Sequence, residues 1–350
     1  MDTVKHNPQP MGTTKYQRVP VPEYPKKINL GIQEDYCNLS CPKCLVFGTN
    51  KDPAFDIKKV ATSAMPMDNI IKILDEIKDH KTAIIPSYWV EPLVVKQFKE
   101  VLIECKKRDV PVSMSTNGLL INESMAEFLV GHSAAISVSI DATTKETLIK
   151  TRATSRLRRI HDAVFHLLEK RGGNESPRIM VNFTVDDNNL HERDEFLEYW
   201  INIVDAVRIN EMYTYERGVD NMVVTRERTP CREIYDQMTV DFNGEVRMCC
   251  LDGFRVTNLG NVFKDGVYNV WHGEALTAVR KHHEENNYKD ESFCESCTLW
   301  ASYNITDERE QGNLLIRSSD SVTYYNRLDK LSNWKSQIRR NDLTFRPKAG

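Results

Sequence analysis

From residue 27 onward the chain alternates short apolar or period-two runs with longer stretches whose apolar residues recur at helical spacing. "KINLGI" (27–32) predicts a strand and "MDNIIKILDEIKDH" (67–80) a helix. "TAIIPSYW" (82–89) predicts a buried strand, and "LVVKQFKEVLIECKKR" (93–108) a helix with a basic end. "VPVSMSTNG" (110–118) reads as a strand entering a turn. "NESMAEFLVGH" (122–132) reads as a helix started by Asn122, whose side chain can accept from an unpaired N–H of the first turn. Strands at "AAISVSID" (134–141), "RIMVNFTV" (178–185) and "AVRINEMY" (206–213) alternate with helical patterns at 144–152, 156–171 and 192–203. Six βα-like units in a row imply a parallel sheet with helices outside, either a barrel or an open doubly wound sheet. In both, ligands sit at the C-terminal ends of the strands.

The pattern changes after about residue 215. "QMTVDFNGEVRMCC" (237–250) alternates around Asn243-Gly244, a pair that accepts the positive φ angles of a type I′ hairpin turn. "GVYNVWHGEALTAVRKHHEEN" (266–286) reads as helical. The division expected is an extended, proline-bearing arm over 1–26, a βα-repeat domain over 27–219, a smaller module over 220–300 and a polar, aromatic tail over 301–350.

The 350 residues are 40% hydrophobic, enough for a sizeable core in two domains or one large one. A net charge of −3 leaves no basic surplus to suggest nucleic acid. No apolar run approaches the roughly 18 residues that span a bilayer, and "MDTVKHNPQPMGTTKYQ" lacks the apolar stretch of a secretory leader. The expectation is a cytoplasmic protein with neither nucleic-acid nor membrane partners.

Nine cysteines then need a reason other than disulfides, and in a reducing compartment clustered thiols point to metal or catalysis. Cys37, Cys41 and Cys44 form C-x-x-x-C-x-x-C, directly after the first strand. Cys231, Cys249, Cys250, Cys294 and Cys297 lie in the second module. Cys105, alone in a helical pattern, is expected to be a buried small hydrophobe. A closed zinc site wants four ligands. Three thiolates on a four-iron cluster leave one iron free for a substrate or cofactor. The alternative is a zinc loop completed from elsewhere.

C-x-x-x-C-x-x-C after a first strand on a βα-repeat scaffold resembles the radical S-adenosylmethionine (SAM) enzymes, over residues 27–300. The resemblance implies an α/β fold, a partial (β/α)6 TIM-like barrel with a small C-terminal β-hairpin/helix Fe–S module. It implies a 4Fe–4S cluster on Cys37, Cys41 and Cys44 whose open iron chelates SAM. One-electron cleavage of SAM then yields a 5′-deoxyadenosyl radical that abstracts hydrogen from substrate. An electron donor such as flavodoxin or ferredoxin is implied as well. "WVEPL" (89–93) stands where the family carries G-G-E-P, so Glu91 matches the acceptor of the SAM ammonium. "STNG" (115–118) matches the T-N-G turn, with Asn117 at the cofactor. Ser139 of "SVSID" and Arg152 match the serine and arginine that hold the SAM carboxylate. "VRINEMY" (207–213) resembles the strand lining the adenosine pocket. Trp89 and Val90 replace the two glycines, and Lys43 stands where an aromatic is common.

The spacing of Cys231, Gly244, Cys249, Cys294 and Cys297 resembles the twitch module, the short form of the SPASM domain. "CCLDG", "LGNV" (259–262) and "VWHGEAL" (270–276) are typical of it. A full SPASM domain has a second run of cysteines, so the count expected is two 4Fe–4S clusters, one SAM-binding and one auxiliary. A zinc ribbon is the bland alternative. Cys250 reads either as a buried residue on the opposite strand face or as a hydrogen-atom donor, as in radical SAM sugar epimerases. It could also exchange roles with Cys249. Asp252 and Glu211 are candidate proton acceptors, against the ordinary reading of salt-bridged acids. Arg156, Arg158 and Arg159 read as a solvated helix face and His282-His283 as surface.

The twitch spacing is like that of radical SAM enzymes that oxidise a cyclitol alcohol, the 2-deoxy-scyllo-inosamine dehydrogenases. The substrate expected is therefore a small, sugar-like molecule, a carbohydrate or aminocyclitol, undergoing dehydrogenation or epimerisation. The rival enzyme reading is a peptide- or protein-modifying maturase. The non-enzymatic reading is a protein that merely stores Fe–S or zinc.

Overall fold

Six parallel strands form the centre of the chain. The computed structural model describes residues 16–18, 21–33, 36–44, 46–48, 64–87, 89–213, 224, 227–252, 255–290, 292–330 and 345–347. The strands are β1 (Lys27–Leu30), β2 (Ala83–Ile85), β3 (Ser113–Thr116), β4 (Ala135–Ser139), β5 (Arg178–Val185) and β6 (Ala206–Glu211). β1 pairs with β2, a single parallel bridge joins Ile84 to Val112, and β3 to β6 continue the parallel order. This is the partial barrel expected, not a doubly wound sheet, because the strands follow one another in sequence order.

The helices between them are α1 (Met67–Ile77), α2 (Phe98–Lys107), α3 (Glu123–His132), α4 (Lys145–Arg152), α5 (Leu157–Arg171) and α6 (Arg193–Ile201). Asn122 caps α3 as its position predicts, accepting from Met125 N at 2.9 Å. The helix expected from 93 starts only at Phe98, since Pro92–Val94 forms a tighter 3-10 turn capped by Glu91.

Strand register divides the sheet into two chemistries. Ile136, Val138, Val181, Phe183 and Val207 face outward and are fully buried against residues such as Ile160, Ala163, Phe196 and Trp200. The opposite face carries Ser115 level with Ser137, Ser139 with Asn182, Asn182 with Arg208, and Thr184 with Asn210. Barrel interiors are usually filled with branched apolar side chains. Here the inward row is mostly polar.

Both edges of the open barrel are covered by the rest of the chain. β7 (Gln237–Val240) pairs parallel with β1, and β8 (Val246–Arg247) returns antiparallel beside it. Their turn holds Gly244 at φ +83, but Asn243 is not at positive φ, so the type I′ turn expected does not form: Gly244 N donates to Asp241 O at 2.8 Å and Asp241 N to Glu245 O at 2.9 Å, a longer loop with glycine at its left-handed position. On the far edge, β9 (Asp307–Gln311), β10 (Leu314–Ser318) and β11 (Val322–Arg327) form an antiparallel meander whose last strand pairs with β6. Much of the segment expected to be a tail is thus sheet. The stretch read as one helix over 266–286 is two, α7 (Val262–Trp271) and α8 (Glu274–Glu284), parted at Gly273. Glu76 of α1 accepts from Val267 N and Tyr268 N, both at 2.8 Å, and so caps the second half of α7. Residues of the N-terminal arm lie across this contact: Trp271 Nε1 donates to Pro22 O at 2.9 Å and Thr82 Oγ1 to Pro25 O at 2.8 Å. The short ribbon of residues 16–18 and 345–347 pairs separately.

At the N-terminal end of the barrel, Asp205 accepts from Arg171 Nη1 and, at 2.8 Å, from Ile179 N. Arg171 also donates to Pro177 O at 3.2 Å. This buried pair locks α5 to the starts of β5 and β6. Removing one partner strands the other charge, so Asp205→Ala is expected to cost about 3–5 kcal/mol of unfolding free energy. Denaturant titration checks this, and a loss below about 1 kcal/mol, the worth of a surface pair, would show the clamp to be dispensable.

Candidate functional site

The loop leaving β1 is a tight coil that brings three thiols to the C-terminal mouth of the barrel. Cys44 N donates to Cys41 O at 2.9 Å, Gly48 N to Cys44 O at 3.1 Å, and Phe47 N to the Cys44 sulfur at 3.3 Å. A Cβ at Gly48 would lie 2.4 Å from Cys41 O and 2.5 Å from Cys44 O, so only glycine lets the coil close. Lys43 pairs with Asp186 at 2.8 Å, just beyond β5, and ties the loop across the mouth. Burial pushes the Cys37 thiol up, against N–H groups of Leu39 and Glu91 that favour its anion. Burial pushes Cys41 to about 11, against the nearby charge of Arg152. The thiolate form needed for iron is thus favoured by those N–H groups and that cation, and disfavoured without a metal.

Glu91 joins three loops. Its carboxylate accepts from Thr116 Oγ1 at 2.6 Å, Asn117 N at 2.7 Å and Leu93 N at 3.3 Å. Asn117 Nδ2 in turn donates to Asn38 Oδ1 at 2.7 Å, inside the cysteine loop. Burial raises the Glu91 carboxyl, and those three hydrogen bonds pull it back. A carboxylate offers about four acceptor positions, so one remains for a ligand.

Arg152 ends α4 and pairs with Asp141 at 2.7 Å, while Asp141 accepts from Thr184 N at 2.7 Å. The Arg152 Nε is buried without an acceptor among the described residues. Glu192 fixes the start of α4, accepting from Thr147 Oγ1 at 2.6 Å and from Thr143 N and Thr144 Oγ1, each at 2.5 Å. Ser139 lies level with Asn182, whose Oδ1 is buried and unpaired, as is Ser137 Oγ. Cys41, Glu91, Arg152 and Ser139 therefore gather at the ends of β1, β2 and β4. The orphaned polar atoms beside them fit a ligand carrying both ammonium and carboxylate.

The second set forms apart from the first. Cys231, Cys249, Cys294 and Cys297 act on one another electrostatically, and burial holds Cys231 and Cys249 well above the usual thiol range. Arg228 donates to Cys294 O at 2.6 Å and Glu295 O at 2.9 Å, and stacks 3.5 Å over Tyr288. These bonds fix the C-x-x-C turn. Among the described residues no three His, Cys, Asp or Glu side chains are grouped to hold a single metal ion.

Cys250 acts electrostatically on Cys249 of that set and also meets a second group of side chains. Its sulfur lies 3.8 Å from Tyr303 Oη, and its electrostatic neighbours include Glu233 and Arg208. Burial pushes it to about 12. Glu233, raised to about 7 by burial, accepts from Gln237 Nε2 at 2.6 Å. Tyr213 and Tyr324 complete the neighbourhood around Arg208. Sequence reasoning missed Glu233, Tyr303 and Arg208. Only the inward parity of Arg208 on its strand offered a signal.

Asp252 is committed to its own loop, accepting from Val256 N at 2.9 Å and Thr257 N at 3.0 Å. One expectation fails. His283 is buried, not surface: Nδ1 accepts from Cys231 N at 3.2 Å, and burial pulls the ring down to about 3. Glu211 ends β6 half-buried, with Arg193 opposing the upward effect of burial. Cys105 is fully buried in α2, as expected.

Comparison with known proteins agrees with this fold. The radical SAM superfamily profile matches residues 35–199, and that of SPASM, an iron–sulfur cluster-binding domain, matches 231–298. An uncharacterised protein of Archaeoglobus fulgidus is 26% identical over 174 residues, 50% of this chain and 38% of its own length. Among solved structures, BtrN in complex with AdoMet and 2-DOIA aligns with TM-score 0.51 at 16% identity, over 78% of this chain and 92% of BtrN. Streptococcus suis SuiB bound to S-adenosylmethionine gives 0.57 at 16%, over 81% and 73%. The anSMEcpe structure with bound AdoMet gives 0.56 at 13%, over 78% and 84%. At these identities the likeness is one of fold. No helix among the described residues is long and apolar enough to cross a membrane. Residues 35–199 thus form a radical SAM domain and residues 231–298 a SPASM domain, and these domains imply SAM and iron–sulfur clusters as cofactors.

Proposed function

We propose that the enzyme acts on a small polar, carbohydrate- or aminocyclitol-like substrate, and that Cys250 returns a hydrogen atom to it. The observation that carries this reading is the contact of the Cys250 sulfur with Tyr303 Oη, in a buried neighbourhood that includes Glu233 and Arg208. Cys37, Cys41 and Cys44 would hold the SAM-binding cluster, and Cys231, Cys249, Cys294 and Cys297 one auxiliary cluster. When bound, SAM supplies a 5′-deoxyadenosyl radical that takes a hydrogen atom from substrate. Glu91, through its remaining acceptor position, and Arg152, through its unpaired Nε, are suited to the ammonium and carboxylate of SAM. Ser139 and Asn117 frame the same space.

Cys250 would give its S–H hydrogen atom to the substrate carbon radical from the opposite face. The thiyl left behind regains one electron from reduced flavodoxin or ferredoxin, and one proton. The net change is inversion at carbon. The solved neighbours do not choose the substrate, since BtrN was seen with 2-DOIA and SuiB with a precursor peptide. The polar inward row of β3 to β6 favours a small hydrophilic molecule over the apolar side chains of a peptide.

Anaerobically reconstituted protein is expected to hold about eight irons and, once reduced, to release 5′-deoxyadenosine from SAM. Cys41→Ala should abolish that release. Zinc in place of iron, or cleavage that persists in the variant, contradicts the assignment of the first cluster. In heavy water the product carbon should gain deuterium, and Cys250→Ala should remove it. An oxidised product without solvent deuterium would instead mean dehydrogenation.

A further inference from the structure

Arg208 lies in the barrel interior without a salt bridge among the described residues. It occupies the inward face of β6, level with Asn182 on β5 and Tyr324 on β11. The Tyr324 ring centroid lies 5.6 Å from its guanidinium carbon. Its Nε is buried without an acceptor, and among the described residues it enters no ion pair. Three other buried arginines form ion pairs: Arg152 with Asp141, Arg171 with Asp205, Arg247 with Asp241. Arg178, deeper in the same barrel, donates to Asn326 Oδ1 at 2.7 Å. The carboxylate near Arg208 is Glu233, which already binds Gln237 and is influenced by Lys27 more than by Arg208. Lys27 and Arg232 thus act on the same carboxylate ahead of Arg208, with Asp236 beside it. A buried cation without a counter-charge is costly unless a ligand supplies it, and a guanidinium fork matches a carboxylate or phosphate better than any neutral group.

We propose that Arg208 binds an anionic group of the substrate, a carboxylate or a phosphate, in a site walled by Tyr213, Tyr303 and Tyr324. This rests on the reading that substrate lies in the pocket beside Cys250. The anchor places the charged end of the substrate between β6 and the SPASM domain and leaves its uncharged part toward Cys41 and Arg152. Neutral sugars and free cyclitols would then be poor substrates, whereas uronic acids, sugar phosphates or related acids would be good ones.

The test uses the full chain with both clusters and SAM in place, titrated calorimetrically with inorganic phosphate, acetate, glucose and glucose 6-phosphate. Phosphate or acetate should bind, and whichever is tighter tells phosphate from carboxylate recognition. Arg208→Lys should weaken that binding roughly tenfold, because a point charge replaces a fork, and Arg208→Gln should abolish it, with the iron content of each variant confirming that it folds. On the unaltered chain, the same anion should slow modification of Arg208 by phenylglyoxal, mapped by mass spectrometry. Failure of both anions to bind, unchanged binding in the variants, or no protection of Arg208 overturns the proposal. If glucose 6-phosphate binds no better than phosphate while Arg208 is still required, the anion site stands and the carbohydrate reading falls.

Discussion

The active mouth of this protein depends on the hydrogen bonding of one buried carboxylate. Glu91 receives the Thr116 hydroxyl and the N–H groups of Asn117 and Leu93, and Asn117 passes the restraint to Asn38 beside Cys37. Three loops from three different strands are thereby fixed through one side chain. Gly48 and the Lys43–Asp186 pair close the remaining freedom of the cysteine coil. The site can then present thiols in a fixed array without a fourth protein ligand. What these bonds preorganise is the backbone of the loop that carries the three cysteines.

A second constraint shapes the whole molecule. A six-stranded open barrel has two edges, and exposed edges invite aggregation. β7 and β8 cover one and the meander β9 to β11 the other, so the SPASM region and the C-terminal strands are structural parts of the barrel. The same arrangement sets Cys250, Tyr303 and Tyr324 against Arg208. Edge protection and construction of a substrate pocket are one architectural solution.

Much of this was legible in sequence, for identifiable reasons. Six strands and their helices follow from periodicity, the caps from Asn122, and the hairpin from Asn243-Gly244, because each is a local rule. The cysteine sets are legible because ligand spacing is local too. The meander at 307–327 was not, since its pairing with β6 spans more than a hundred residues and its strands are polar and half-exposed. His283 could have been found: Leu276, Val279, Arg280 and His283 make one buried stripe on α8. Asp252 bonds four and five residues ahead as a loop cap does, a role that an acid near cysteines does not announce in sequence. Glu233 and Arg208 carry no motif at all. Their meeting depends on β7 docking beside β1.

The central claim is that Glu91 organises the cysteine loop as well as facing the cofactor. Iron content of reconstituted Glu91→Gln, measured beside its affinity for SAM, tests it directly. Glutamine replaces one acceptor by a donor that would oppose the Asn117 N–H or the Thr116 hydroxyl. The account predicts that about four irons are lost with the first cluster while the auxiliary cluster remains. Full iron content with only SAM binding weakened would contradict it, and would make Glu91 a ligand contact alone.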